Sequence, residues 1–530
     1  MTSRFFNTAG PVNRPDHYCL PPLTRFDIDQ ILSLIEQKKY FILHAPRQTG
    51  KTSALLALMK LLNQQGTYRC LYANVEVGQT ARGDVKRGMR VILGEIAGRA
   101  ETFLKDSFPV EQMNNALEQF GGDGSLNRLL SIWAKDSSKP LVLLIDEIDA
   151  LVGDTLLSVL RQLRAGYDKR PGSFPQSVIL CGVRDIRDYR IYSAQEQELV
   201  KGGSAFNIRA ESLRLSNFDQ SDLETLYQQH TTETGQIFEP ETLQTAWELT
   251  QGQPWLVNAL AYETTFNIKA GRDRSQPITS EMIQQAKENL IIRRETHLDQ
   301  LTHKLQEERV RRVVEPMLQG ESLSQKVNHE DIQYVLDLGL ISRTKQGLQV
   351  ANLIYQEVIP RELSYVTQID LESLFQPEWY IAPDGRLDMA KLLTEFQQFF
   401  RENSEHWLGR FDYQEAGPQL LLQAFLQRVI NSGGRVHREY GLGRKRTDLL
   451  VVWPYDNGIQ KTVLELKIRY RKTEKVIKSG LPYTWAYMDK CGASEGHLLI
   501  FDRRKKTPWS EKIFRDERSH KGLAITVWGM

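Results

Sequence analysis

The sequence predicts an α/β protein in which a parallel sheet, covered by helices on both faces, is followed by a helical segment and a second, smaller α/β unit. Three observations carry this. Short, largely apolar runs alternate with helical stretches over the first 215 residues. From about Asp219 to Leu301 the pattern is helical only, and after Asp412 strand signals resume. At 530 residues the chain exceeds what one core holds, so three or four domains are expected.

The elements follow in order. Pro21-Pro22 precede a helix over Arg25 to Gln37, and Tyr40 to His44 is a short buried strand ending in a loop. A long helical pattern opens at Lys51, a second strand spans Arg69 to Val75, and Ala81 to Phe108 is amphipathic. Leu141 to Ile145 and Ser177 to Cys181 are apolar strands. Gly252-Gln253-Pro254 interrupts the helical region. Arg309 to Leu363 sets short helices around Leu338 to Ile341 and Gly347 to Val350, the pattern of a winged helix. Residues 364 to about 406 read as a connector with mixed helical periodicity. Beyond it come a helix over 415–430, strands over 435–440, 447–453 and 461–468, a helix over 479–491 and a strand over 496–502. The expected boundaries are 1–215, 216–305, 306–363, 364–411 and 412–530.

Composition narrows the class. The chain is 41% hydrophobic and 25% charged, the balance of a soluble globular protein. No apolar run approaches the roughly 20 residues of a membrane-spanning helix, and the first residues lack the apolar centre of a signal peptide. Cys19, Cys70, Cys181 and Cys491 lie far apart without a CxxC pair, so neither a zinc site nor a disulfide framework is expected. A cytoplasmic protein without a membrane partner fits all three. The net charge of +2 hides an asymmetry, since Arg435 to Lys521 holds 21 Lys and Arg against 11 Asp and Glu. Such a basic region suits a polyanionic partner through counterion release; a solvated basic face is the alternative.

The loop after the first buried strand reads Ala45-Pro46-Arg47-Gln48-Thr49-Gly50-Lys51-Thr52. It fits the phosphate-binding pattern GxxxxGK[ST], with Ala in place of the first Gly. Backbone N–H groups and a helix N-terminus would hold the phosphates. Lys51 would reach the β- and γ-phosphates of ATP, and the Thr52 hydroxyl would ligate Mg²⁺. Ala45 is compatible if its φ is negative, because only Gly50 must lack a side chain. Leu141 to Ile145 ends in Asp146-Glu147, with Asp146 expected to hold Mg²⁺ through water and Glu147 to polarise the attacking water. Asp149 reads as a helix cap.

These stretches, with Val178 to Asp185, resemble ATPases near the boundary of the AAA+ and STAND groups. Thr250 to Leu260 looks like the lid segment whose Gly-x-Pro borders the adenine, which implies a cofactor-binding role for Pro254. Asn352 to Arg361 looks like the end of the winged helix in bacterial AAA-like proteins. The resemblance covers roughly residues 1–363. It leaves the sensor position with Gly182, Arg184 and Asp185, and it assigns no arginine finger.

The C-terminal region carries Asp448, an apolar run to Trp453, a turn over Pro454 to Gly458, then Glu465-Leu466-Lys467. Strand periodicity puts Glu465 and Lys467 on one face, and a hairpin would bring Asp448 beside them. This Asp-x16-Glu-x-Lys pattern resembles the PD-(D/E)XK nucleases, so a restriction-endonuclease-like domain is expected after the P-loop core, helical lid and winged helix. In that reading Asp448 and Glu465 ligate Mg²⁺, or Mn²⁺, and Lys467 positions or activates water. Glu415 matches a further acid that many such nucleases place on the preceding helix. Where the related helix often carries Gln, this one has Tyr483 and Thr484. Arg469, Arg471 and Lys472 are expected to grip phosphates.

Together these readings predict an ATP-binding and ATP-hydrolysing protein that controls a nuclease acting on DNA, in preference to RNA, in defence or mobile-element biology. Assembly into a homo-oligomer would accord with the resemblance. The alternative is a STAND-like signalling switch whose nuclease-like domain only binds nucleic acid.

Overall fold

The computed structural model describes residues 4–186, 189–193, 198–293, 295–318, 327–344, 347–363, 380–408, 422, 425–426, 435–439, 448–455, 458–469, 472–502, 504 and 507–530. The chain forms two compact units. One comprises Met1–Asp299, Gln333–Ile341 and Ala351–Ile354; the other comprises Gln300–Ile332, Ser342–Val350 and Tyr355–Met530.

The first unit opens with the short parallel pair Phe5–Phe6 (β1) and His17–Tyr18 (β2). Then come Ile28–Glu36 (α1), Tyr40–His44 (β3), Lys51–Gln65 (α2), Arg69–Asn74 (β4), Val85–Leu104 (α3), Phe108–Asp136 (α4) and Leu141–Asp146 (β5). Gly153–Ala165 (α5), Ser177–Gly182 (β6), Arg190–Ser193 (β7), Glu198–Lys201 (β8), Gly202–Ala205 (α6) and Arg209–Arg214 (β9) complete this part. Strands order β4-β5-β6-β3-β9, with every neighbouring pair parallel. Strand β6 therefore separates β3 from β5, and the loops at the C-terminal ends of β3 and β5 flank a point where the strand order reverses. Crevices of that kind bind ligands in open α/β sheets.

Alternation along each strand feeds two cores. Tyr40, Ile42, Leu143 and Ile145 pack with α3, α4 and α5, including Met89, Leu126, Trp133 and Leu160. Phe41, Leu43, Val142 and Leu144 pack with α1 and α2 through Ile31, Ile35, Leu55 and Leu58. Acidic caps start the helices: Asp27 accepts from Gln30 N for α1, and Asp84 accepts from Arg87 N for α3. Helix α4, which begins where the expected amphipathic stretch of Ala81 to Phe108 ends and was not itself expected, bends at Gly121 (φ 60°, ψ −166°).

The helical region holds Gln220–Thr234 (α7), Pro240–Thr250 (α8), Pro254–Tyr262 (α9) and Ser280–Ile292 (α10). A reciprocal Asp219/Asp222 capping box begins α7, and Pro occupies the first turn of α8 and α9, where its absent N–H costs nothing. The chain continues through Thr296–Leu305 (α11), Glu308–Leu318 (α12), His329–Asp337 (α13), the two-stranded sheet of Ile341–Thr344 (β10) and Gly347–Val350 (β11), and Leu353–Leu363 (α14).

The second unit is built on a mixed sheet. Its elements are Met389–Leu408 (α15), Arg435–Glu439 (β12), Asp448–Tyr455 (β13), Gly458–Ile468 (β14), Thr473–Cys491 (α16), Glu495–Phe501 (β15), Trp509–Lys512 (α17), Phe514–His520 (β16) and Leu523–Gly529 (β17). The order is β12-β13-β14-β15-β17-β16, with β14, β15 and β17 mutually parallel and the remaining pairs antiparallel. Helix α16 is the crossover between β14 and β15, as parallel neighbours require. It packs Val476, Ile477 and Met488 against Val463, Leu498 and Val527 on one face. On the other face, Leu392, Phe396 and Phe400 of α15 pack against Leu449, Leu464, Phe501 and Trp528. The stretch expected as a connector thus contributes a covering helix. Its apolar positions recur at helical spacing because a six-stranded sheet exposes two apolar faces, and each must be buried. The helix expected over 415–430 lies almost wholly outside the described residues.

Candidate nucleotide-binding site and C-terminal acidic pair

The loop from Ala45 to Thr52 joins β3 to α2. Only Gln48 (φ 55°) and Gly50 (φ 88°) within it take the left-handed conformation. Ala45 does not, so the alanine in place of the usual first glycine carries no conformational penalty. At Gly50 a Cβ would be strained by φ and would lie 2.9 Å from the Arg25 guanidinium.

Lys51 is buried, and its ammonium donates to the carbonyls of Ala45 and Pro46, each at 3.0 Å. A buried cation hydrogen-bonded to neutral carbonyls at a helix N-terminus is complementary to an incoming anion. Thr49 Oγ1 donates to Pro46 O at 2.7 Å and tightens the loop. Thr52 Oγ1 donates to Asp146 Oδ2 at 2.7 Å, and Tyr72 OH donates to the same oxygen at 3.0 Å. Thr52 and the fully buried Asp146 therefore juxtapose two hard oxygen donors, which suits Mg²⁺. The residues fit a nucleotide–Mg²⁺ complex on these grounds.

Glu147 follows with φ 56° and donates its backbone N–H to Asp146 Oδ1 at 2.9 Å. Burial raises its carboxyl pKa above the ordinary 4.5, partly offset by Lys51. A non-glycine residue held at positive φ beside a buried carboxylate is a strained position of the kind found at functional sites.

Asp149 does not cap a helix. Its carboxylate accepts from Val183 N at 3.1 Å and ties the end of β5 to the end of β6. A Cβ at Gly182 would sit 2.7 Å from Asp149 Oδ1, so the glycine permits this tie. Gly182→Ala should break it and lower stability by about 1–3 kcal/mol, the cost of a disrupted buried hydrogen bond with local strain. A melting temperature equal to the parent's would refute this. Arg184, left unassigned by the sequence, lies over the Tyr189 and Tyr334 rings at 4.5 and 4.9 Å.

A cavity extends from the loop. Gln48, Thr49, Gly50 and Ser53 form one wall, Pro254 and Trp255 at the start of α9 another, and Asn7 to Gly10 with Val12 a third. Pro254 is thus brought to the same cavity as the phosphate loop. The N-terminal wall was not legible in the sequence. It is tied down by Val12 N donating to Ser53 Oγ (3.1 Å) and Trp255 Nε1 donating to Thr8 O (2.8 Å). Arg25 was missed as well. Its guanidinium donates to the carbonyls of Thr49 and Ser216 and lies 4.9 Å over the Phe218 ring, while burial lowers its pKa to about 10. His297 Nδ1 meets Gln48 Oε1 at 2.6 Å and its ring stacks on Trp255 at 4.9 Å. Burial holds this imidazole neutral by lowering its pKa to about 3. No local motif marks these residues.

In the second unit, β13 and β14 pair so that Asp448 stands opposite Glu465. Glu465 is fully buried and forms an ion pair with Lys467, whose side chain is 19% exposed. Lys467 Nζ lies 5.4 Å from the Tyr483 ring centre. Arg469, expected to grip phosphate, is instead held by Asp502 at 2.8 Å, which Arg504 also pairs. Glu415 and Arg471 lie outside the described residues. Among the described residues, no group of three or more His, Cys, Asp or Glu side chains is placed to hold a metal ion. Nor, among them, is any helix long and apolar enough to cross a membrane.

No curated protein matches the sequence. Similar solved structures include a Walker-type ATPase of Pyrococcus abyssi (13% identity, TM-score 0.47, covering 67% of this chain and 99% of that one). Others are the ORC2 protein of Aeropyrum pernix in ADPNP–ADP complexes (13%, 0.37, 66% and 96%) and a RuvB variant of Thermotoga maritima (13%, 0.33, 62% and 92%). The AAA-like domain family matches residues 25–360, more than half of the chain and all of the phosphate loop and acidic pair described above. This chain therefore belongs to the AAA-like domain family.

Proposed function

We propose that the protein binds and hydrolyses ATP in its first unit and uses the nucleotide state to control a metal-dependent nuclease in its second. The observation that carries the ATPase half is the meeting of Lys51, Thr52, Asp146 and Glu147 at the ends of β3 and β5. Bound Mg²⁺ would offset phosphate charge. Lys51 holds the phosphates, Thr52 and Asp146 hold the ion, and Glu147 accepts a proton from water at its carboxylate. Pro254, Trp255 and the Asn7 to Gly10 segment exclude water from the rest of the nucleotide. Homo-oligomer formation belongs to the same reading.

The nuclease half is supported by the register of Asp448 opposite Glu465, by Lys467 two residues on, and by the basic surround. Asp448 and Glu465, with Glu415, would hold Mg²⁺ or Mn²⁺, and Lys467 would orient water. DNA is the proposed substrate ahead of RNA. The domain limits expected from the sequence are kept in this proposal, except that α15, inside the expected 364–411 connector, is taken with the C-terminal unit. One observation favours a second reading: Lys467 already neutralises Glu465. In that reading the unit binds nucleic acid without cutting it, as a switch module.

The experiment incubates the full chain with DNA and RNA, single- and double-stranded, with Mg²⁺ or Mn²⁺ and with or without ATP. Cleavage that responds to ATP is expected. Cleavage of nothing under every condition leaves the binding-module reading. In parallel, Lys51→Ala should lower ATP affinity at least tenfold, since it removes a charge-assisted contact of roughly 1.5–3 kcal/mol. Unchanged affinity by calorimetry would remove the nucleotide assignment.

A further inference from the structure

Helix α16 carries one aromatic ring that is exposed to solvent. Its inner face is ordinary core: Val476, Ile477, Tyr487 and Met488 are buried against the sheet. Trp485 is half-buried and covered on one side by Lys521, 3.8 Å from its ring centre. Tyr483 differs. It is 40% exposed, the one large exposed aromatic side chain among the described residues of this unit. The Lys467 ammonium, which pairs with Glu465, lies over the ring 5.4 Å from its centre, and the rest of the ring reaches solvent. Along the same helix, Lys475, Ser479 and Tyr483 fall at spacings of four, one stripe of the helix surface. Lys472, Lys475 and Lys478 are exposed at its N-terminal end. Arg469 is held by Asp502, so these lysines are the better-placed phosphate contacts.

An exposed ring flanked by cations matches the chemistry of an unpaired nucleobase and its phosphates. The ring stacks on the base face, and the ammonium groups hold the backbone. An intact duplex presents no free base face, because each base is already stacked on its neighbours. We infer that Tyr483 is a stacking platform for an unpaired base next to Lys467, so that the C-terminal unit takes single-stranded DNA or RNA rather than intact duplex. This rests on the reading of Glu465 and Lys467 as a nucleic-acid site and adds to it a substrate class and a positioning residue.

The test uses the full chain in EDTA, where nothing is cut, and fluorescence anisotropy with four labelled probes. These are an oligo-dT strand, the matching RNA strand, an abasic strand of equal length, and a duplex of equal length. The parent should bind both base-bearing strands more tightly than the duplex. Tyr483→Ala should weaken binding of those strands roughly 5- to 100-fold and leave the abasic strand unchanged, because only the stacking contact is lost. Tyr483→Phe keeps the ring and should stay within about twofold of the parent. Preference for duplex, equal loss on the abasic strand, no loss in Tyr483→Ala, or no binding of any probe each overturns the inference. Repeating the series with Mn²⁺ separates it from the nuclease reading. Duplex cleavage indifferent to Tyr483 keeps the nuclease and removes the platform. Ring-dependent binding without cleavage keeps the platform and removes the nuclease.

Discussion

Asp448→Ala and Glu465→Ala should each abolish strand cleavage by the full chain while leaving ATP affinity at the parent value, since the two sites lie in separate units. Two neighbouring carboxylates are stable as anions when a cation lies between them, so losing either removes the metal's partner set. Lys467→Ala should also abolish cleavage, and its effect on stability is diagnostic. Glu465 is fully buried and its charge is met by Lys467. Removing one partner of a buried pair costs about 3–5 kcal/mol, and less here because Lys467 reaches solvent. A divalent cation can replace the lost charge. The variant should therefore melt below the parent in EDTA, recover in Mn²⁺, and bind Mn²⁺ at least as tightly as the parent does, because lysine no longer competes. Gel assays and thermal melts with and without metal read both effects. Normal cleavage by Asp448→Ala would eliminate the proposed metal site, and failure of Mn²⁺ to raise the Lys467→Ala melting temperature would make the Glu465–Lys467 pair purely structural.

Glu147→Gln should lower ATP turnover on the order of 10²-fold or more while ATP remains bound. The substitution keeps the side-chain shape and the backbone bond to Asp146 Oδ1, and it removes only the proton acceptor. A pH profile sharpens the assignment. Burial raises the Glu147 carboxyl pKa above 4.5, so its basic form is lost as pH falls through that raised value. The acid limb of kcat/KM, which reports the free enzyme, should lie above the ordinary carboxylate range and vanish from the residual activity of Glu147→Gln. ATP affinity falling in step with turnover would instead make Glu147 a binding residue.

Much of the first unit was legible because its signals are local. Tyr40 to His44 and Leu141 to Asp146 are continuous apolar runs, as strands buried on both faces must be, and each ends directly in its functional residues. The loop chemistry of Gly50, Lys51 and Thr52 needs only its own backbone and the helix that follows. The boundaries of β13 and β14 were legible within a few residues, because alternation and the Pro454 to Gly458 turn mark them. What escaped is of another kind. Helix α4 has no counterpart among the expected elements, and its helical pattern is broken midway at Gly121. Asp149 was read as a cap because an acid after a strand commonly is one; its true partner, Val183 N, is 34 residues away. Arg469 was expected to grip phosphate, and its partner Asp502 lies 33 residues away.

By itself, then, the sequence determined the strands that carry the phosphate loop and the acidic pair, the loop and the pair themselves, and the hairpin of β13 and β14. Each is set by short-range periodicity or by residue chemistry within a few positions. Only the tertiary structure decided that β6 lies between β3 and β5, that Asn7 to Val12, Arg25 and His297 close around the loop, and that α15 covers the second sheet. Those outcomes follow from the burial of apolar faces and the pairing of buried polar groups across long separations. Neither the identity of the partner nor its distance along the chain is written in any local pattern.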